Sequence, residues 1–237
     1  DIQGGAIVVV DVKTGEPLAI ASYPTFDLST ILEDYSDLLE ADYDPLFNRA
    51  LMGAYAPGST FKPCTAIAGL TENIINTETQ IECTGIYNKY ADQGYAPACW
   101  VYTQTDGMIT HGFDNVTEAL KDSCNIFFYS VADSLGIRKL MEYAADFGLG
   151  ESTGIELTES TGNMANPDNH LNYDVDEWVD GDTVQTGIGQ SDSLFTPLQL
   201  AEYCAAIANG GTRHSAALLK SVRSYDYSRQ LYQKETE

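Results

Sequence analysis

Pro57-Gly58 breaks the chain just ahead of Ser59 to Asn73, where Phe61, Cys64, Ile67, Ala68 and Leu70 recur at helical spacing. A helix must therefore begin here and bury one apolar face. Pro63 is tolerated only in a first turn, where its missing N–H is not needed. It also biases Lys62 away from helical geometry, so the helix start carries a local tension. Ser59 or Thr60 can cap it. The strongest constraint on the fold is thus a buried helix with a lysine in its first turn.

Other segments arrange themselves around that helix. Ala6 to Val10 and Leu18 to Ala21 are apolar runs joined by the turn Lys13-Thr14-Gly15-Glu16, and Pro24 ends the second. They predict a β-hairpin. Residues 27–47, acidic and aromatic without a strong period, read as a loop with short helical turns. Residues 76–115 are loop-rich, with Gly85, Gly94, Pro97, Gly107 and Gly112. Thr117 to Leu135 reads as a helix with an apolar stripe through Leu120, Cys124, Phe127, Phe128, Val131 and Leu135, stopped by Gly136. Further helices are predicted for Ile137 to Phe147 and Pro197 to Asn209, the latter with Pro197 in its first turn and Gly210-Gly211 at its end.

With 237 residues, 43% of them apolar, the chain can bury a core as one large domain or two small ones. Its formal charge of −23 argues against nucleic acid and against unassisted docking on anionic lipid, since both need clustered cations. No apolar run approaches the ~20 residues of a membrane span. No signal peptide precedes the strand-like start, so the chain reads as an excised piece. Of five cysteines, Cys64, Cys124 and Cys204 sit in apolar helical runs and are expected in the core. Cys83 and Cys99 flank a Gly- and Tyr-rich segment. A disulfide between them, as in an exported protein, and two unpaired thiols are both open readings. Zinc is disfavoured, because neither belongs to a Cys-x-x-Cys pair.

Two spacings carry chemistry. Ser59 precedes Lys62 by three residues, which places both side chains on one helix face. A serine hydroxyl needs an adjacent base to act as a nucleophile, and a lysine can serve once burial lowers its pKa. The helix N-terminus also offers N–H groups to a developing oxyanion. Alone the pattern is weak; it arises by chance about once in a chain of this size, and a capping serine with a solvated lysine is the bland alternative. Ser123 and Asn125 flank Cys124 and can converge on a shared site from a loop or first turn, the serine relaying a proton and the asparagine orienting a lysine or a substrate amide. Helix capping is the alternative there.

In this order the two spacings resemble the motif set of penicillin-binding proteins and class A β-lactamases, with Cys124 in place of its Asp. The resemblance widens with Gly5-Ala6-Ile7-Val8-Val9-Val10-Asp11, Ala21-Ser22-Tyr23-Pro24, Asn48-Arg49-Ala50 and Tyr55-Ala56-Pro57-Gly58-Ser59-Thr60-Phe61-Lys62-Pro63. It continues with His111-Gly112, Thr153-Gly154-Ile155 with Glu159 and Gly162, Gly187-Ile188-Gly189-Gln190, Thr196-Pro197-Leu198-Gln199 and Ala208-Asn209-Gly210-Gly211. Together these resemble the transpeptidase domain of class B penicillin-binding proteins, nearest the elongation and division enzymes called penicillin-binding proteins 2 and 3. The family's third motif, Lys-Thr-Gly, is expected downstream of Gly211 and does not occur before Glu237; Lys13-Thr14-Gly15 has the right letters in the wrong place.

That resemblance implies an α/β fold of the β-lactamase/transpeptidase type, a mainly antiparallel sheet flanked by helices, with residues 1–237 as a partial transpeptidase domain lacking its C-terminal strands. It implies a peptidoglycan D,D-transpeptidase in which Ser59 is acylated with help from Lys62, Ser123 passes the proton toward the leaving D-Ala, and Asn125 positions Lys62 or the peptide. Without the third motif the piece is expected to be impaired. No metal or organic cofactor is implied. Expected partners are stem peptides, β-lactam antibiotics and cell-wall assembly proteins that bind through regions outside this chain. The expected place is the extracytoplasmic face of the bacterial cell membrane, anchored by an N-terminal segment absent here. Two alternatives remain: a β-lactamase or β-lactam sensor of the same fold, told apart by fast deacylation in the lactamase, and a non-enzymatic assembly scaffold, told apart by a harmless Ser59→Ala. His111 reads as a loop-positioning residue; His170 and His214 have no partner suggested by spacing.

Overall fold

A computed structural model of the chain describes residues 3–170 and 177–233. Their contacts separate two compact units, each assembled from distant segments. One takes the described residues of Asp1–Tyr55, Phe147–Gly162 and Phe195–Glu237; the other takes Ala56–Asp146 and Asn163–Leu194.

The first unit opens with the predicted hairpin, β1 (Gly5–Val10) antiparallel to β2 (Pro17–Tyr23), with Val8 opposite Ile20. Asp11 organises the turn: its Oδ1 accepts from the amides of Lys13 and Thr14 at 2.8 and 3.0 Å. Gly15 closes that turn at φ +66°, a region costly for any residue with a Cβ. Lys13-Thr14-Gly15 is therefore a hairpin turn and no part of a catalytic strand. Residues 27–47, expected as a loop with short helical turns, contain a ten-residue helix, α1 (Ile31–Glu40), none of whose residues is fully buried. Ile31, Leu32, Tyr35, Leu38 and Leu39 do recur at helical spacing along it, a periodic signal masked by the acidic residues between them. Val8, Val10 and Ile20 pack on a core of Leu51, Ile155, Leu198 and Ala216.

Helix α8 (Pro197–Ala208) begins where predicted, with Pro197 in its first turn and a capping box: Thr196 Oγ1 accepts from the Gln199 amide at 3.2 Å and Gln199 Oε1 from the Thr196 amide at 2.8 Å. The Gln199 Nε2 then donates to the carbonyls of Glu151 and Thr161 at 2.7 and 2.8 Å, tying two loops to the helix start. Cys204, expected in the core, is exposed, because α8 turns Leu198, Tyr203, Ala205 and Ala206 inward instead.

The second unit is built on α5 (Asn125–Leu135), whose Ile126, Phe127, Phe128, Tyr129, Val131 and Ala132 are all buried. A helix apolar nearly all round must be enclosed. It packs on α2 (Lys62–Thr71), α6 (Ile137–Asp146), α7 (Asp180–Thr186) and β3 (Ile81–Cys83). A Cβ on Gly69 would stand 2.7 Å from Val131, and one on Gly187 2.2 Å from the Ala132 Cβ, so glycines set how closely α2 and the end of α7 approach α5. β3 pairs antiparallel with β4 (Gly112–Asp114); between them lie α3 (Trp100–Gln104) and loop. The helix read as Thr117 to Leu135 is two, α4 (Val116–Lys121) and α5, broken at residues 122–124. A third antiparallel pair, β5 (Ser221–Arg223) with β6 (Gln230–Gln233), follows α8 and belongs to the first unit. The expected antiparallel, helix-flanked architecture holds, with the pairing among described residues shared between three two-stranded ladders.

Candidate active site

Residues 58–61 form a 3-10 turn that runs into α2 at Lys62. Lys62 adopts helical angles (φ −54°, ψ −36°) despite the proline after it, against the bias expected from Pro63. Neither Ser59 nor Thr60 caps the helix. Thr60 donates to the Pro57 carbonyl at 2.7 Å, and Ser59, exposed, faces Ser123. The turn is backed by the 187–190 segment: the Gly58 amide donates to the Gly189 carbonyl at 2.8 Å. A Cβ on Gly189 would stand 2.2 Å from the Gly58 carbonyl oxygen.

Lys62 is 1% exposed. Its Nζ lies 2.7 Å from the Ser123 carbonyl, 2.9 Å from Ser123 Oγ and 2.7 Å from Asn125 Oδ1. Ser123 Oγ donates to Ser59 Oγ at 2.9 Å. Burial pulls the ammonium down to about 8, with the nearby Cys99 and Cys124 thiols acting against that shift. All four residues singled out in the sequence thus meet. Breaking the chain between α4 and α5 is what allows it: Asp122 ends α4, Ser123 takes φ +53°, and Asn125 opens α5.

The geometry sorts the protons. A neutral amine has two N–H donors and one lone pair. The Ser123 carbonyl and Asn125 Oδ1 can only accept, so they take both N–H groups. The lone pair is then left for the Ser123 hydroxyl, which rotates to donate to Lys62 and accept from Ser59. A continuous path Ser59 Oγ to Ser123 Oγ to Lys62 Nζ results, an arrangement that can carry a proton to the amine.

Beside this site the structure gathers residues the sequence did not join. Cys83, Cys99, His111 and Cys124 place three sulfurs and a ring nitrogen within 4.8 Å of one another. The cysteines are all free thiols. Each comes from a different place: Cys83 ends β3, Cys99 precedes α3, His111 precedes β4, and Cys124 precedes α5. Pairing of Cys83 with Gly112 brings Cys83 alongside His111. The Cys124 thiol donates to Cys99, drawing the Cys99 thiol down while raising that of Cys124; burial raises Cys83.

Three thiols and an imidazole are the donor set of a closed tetrahedral Zn²⁺ site, whose sulfurs stand about 3.8 Å apart given Zn–S bonds of about 2.3 Å. Asp114, 4% exposed, has a carboxylate oxygen without a partner and lies near Cys124 and His111, as a carboxylate that orients a ligand would. The set fits zinc, against the expectation from the missing Cys-x-x-Cys. The spacings are long and irregular because the loops fold, and only the pairing of β3 with β4 reveals them. His111 belongs to this cluster. His170, for which spacing suggested no partner, has its Nδ1 in hydrogen-bond contact with the Asp192 carboxylate.

The model of the penicillin binding protein transpeptidase domain matches residues 5–237. The chain is 36% identical over 224 residues to the peptidoglycan D,D-transpeptidase MrdA of Acinetobacter baumannii, covering 92% of this chain and 32% of that protein. It is 34% identical over 229 residues to the protein of the same name in Escherichia coli K12, covering 92% and 34%. Its structure is similar to that of Pseudomonas aeruginosa PBP2 in complex with WCK 5153, with TM-score 0.82, 28% identity, and coverage of 99% of this chain and 54% of that one. It is also similar to Helicobacter pylori PBP2 in complex with MreC, with TM-score 0.78, 30% identity, and coverage of 90% and 39%. The chain spans about a third of the length of the curated relatives it matches. Among the described residues no helix is long and apolar enough to cross a membrane.

Proposed function

The chain belongs to the penicillin-binding protein transpeptidase family, and on that footing we propose that residues 1–237 are part of a serine D,D-transpeptidase that cross-links peptidoglycan stem peptides. The observation that carries this reading is the continuous contact from Ser59 Oγ through Ser123 Oγ to a buried Lys62 held by Asn125.

Ser59 Oγ attacks the carbonyl of the penultimate D-Ala as its proton moves through Ser123 to Lys62. Collapse of the tetrahedral intermediate breaks the C–N bond, and the leaving D-Ala takes that proton back through Ser123. An amine of a neighbouring peptide then attacks the acyl-serine, loses its proton by the same path and frees Ser59. A β-lactam would enter at the first step, its ring amide opening on Ser59. No leaving group departs, so the label persists. Relatives and structural neighbours carrying the names MrdA and PBP2 favour the penicillin-binding protein 2 side of the family. By the same likeness we propose an extracytoplasmic, membrane-anchored parent protein. A partner of the kind seen with the H. pylori protein, MreC, would engage it through regions outside this chain.

Intact mass after penicillin treatment of the full-length protein tests the reading. One stable adduct that disappears in Ser59→Ala supports it. An adduct on another side chain, or none, overturns it, and rapid release as hydrolysed antibiotic points to a β-lactamase.

A further inference from the structure

Ser123 is the relay of the site, yet it sits at φ +53°, where a residue with a Cβ persists only if its surroundings over-determine it. Lys62 holds the turn from one side. From the other side it is held by two adjacent residues, Cys99 and Trp100. The Trp100 indole N–H donates to the Asp122 carbonyl at 3.1 Å. The Asn125 amide donates to Cys99 Sγ at 3.3 Å. Those two bonds fix the peptide planes before Ser123 and before Asn125, which bracket the relay.

The second bond also fills a gap in α5. Cys124 stands at the N-cap and makes no side-chain cap bond. A helix start needs an acceptor for its first amides, and here the sulfur of a residue from another element supplies it. Cys99 is fully buried and Trp100 40% exposed, with the indole ring 5.8 Å from that of His111. The clamp is thus anchored in the interior at one residue and reaches the surface at the next.

We propose that Cys99 and Trp100 are positioning residues for acylation. Together they clamp the turn from Asp122 to Asn125 so that the Ser123 hydroxyl and the Asn125 amide meet Lys62. This rests on the acyl-transfer reading above. Both act through the backbone of the turn, since their bonds go to the Asp122 carbonyl and the Asn125 amide.

Trp100→Phe carries the test, because it keeps a ring, removes the single N–H and leaves all four donors of the sulfur–imidazole cluster in place. In the full-length protein, stopped-flow labelling with a fluorescent penicillin separates reversible binding from the acylation step. Loss of one hydrogen bond of ordinary strength should slow acylation about five-fold and leave reversible binding unchanged. In a Ser123→Ala background the same change should cost less, because only the contact of Asn125 with Lys62 then remains to be disturbed. Cys99→Ala should slow acylation more than Cys83→Ala, which takes one donor from the same cluster but leaves the bonds to the turn intact. Amide exchange across residues 122–126 gives a second readout, with faster exchange expected in Trp100→Phe and Cys99→Ala. Equal losses with and without Ser123, or acylation and exchange both unchanged in Trp100→Phe, overturn the clamp. If Ser59 is never labelled, the acyl-transfer reading fails and exchange alone decides whether the clamp exists.

Discussion

Lys62 and Ser123 are joined twice, the one Nζ lying 2.7 Å from the serine carbonyl and 2.9 Å from its hydroxyl. The carbonyl bond keeps Ser123 beside the amine while its hydroxyl turns toward Ser59. The first prediction follows. Ser123→Ala should slow acylation by about 10²-fold or more, in the range of a lost acid–base group. Stopped-flow labelling should show reversible binding little changed. Ser123→Gly should be equally slow but more stable than Ser123→Ala by about 1 kcal/mol, since glycine adopts positive φ freely; thermal melts compare the two.

The pH dependence comes from Lys62, which burial brings down to about 8. Only the neutral amine accepts the serine proton. Acylation should therefore be slow well below pH 8, rise through it and level off above, because raising the pH empties the ammonium form. A profile of the acylation rate constant from pH 6 to 10 measures this. Lys62→Arg should remove the rise altogether, as a guanidinium stays charged over that range.

Cys83, Cys99, His111 and Cys124 should take up about one Zn²⁺ per chain in the reduced protein, the stoichiometry of a closed four-ligand site. Metal analysis measures the content. Substitution by Co²⁺ should give thiolate charge-transfer absorption. Strong chelation should lower the melting temperature, because binding to the folded state alone is stabilisation. Cys83→Ala, distant in sequence from the Ser123 turn, should reduce the metal content. An unchanged melt after complete removal of metal would contradict a structural role.

Gly189 stands at φ +71° with no space for a side chain: its Cβ would lie 2.2 Å from the Gly58 carbonyl oxygen and 2.7 Å from the Phe61 Cβ. Both obstacles belong to the turn that presents Ser59. Gly189→Ala should cost about 2–4 kcal/mol, combining strain with overpacking, as read from denaturant unfolding. Any folded fraction should acylate slowly, because relief can come only by shifting Gly58.

Sequence singled out Ser59, Lys62, Ser123 and Asn125 from the order of two short spacings, and the fold brings their side chains into contact. It also located the β1–β2 hairpin, α6 and α8, where apolar period and stop signals agree. The break before α5 was harder to see. Leu120, Cys124 and Phe127 keep helical spacing across it, although Leu120 is 40% exposed and Cys124 faces the sulfur cluster. What breaks the helix is tertiary: Lys62 and Trp100 bind carbonyls that a continuous helix would have used itself. The sulfur–imidazole cluster was invisible for a related reason. Its four donors lie on four segments, and only strand pairing sets them side by side. The expectation that Cys204 is buried failed through the reverse error, a helical position read as inward from its apolar neighbours.

Helix α1 offers a different lesson, since all ten of its residues remain unburied and Leu32 is 92% exposed. A helix this short is marginal on its own in water, and here no core contact supplements it. It should open and close on its own schedule while the two cores stay intact. Its amides should exchange early and proteases should cut there first. A fluorophore or an inserted tag in that stretch should therefore leave the contacts among Ser59, Lys62 and Ser123 undisturbed.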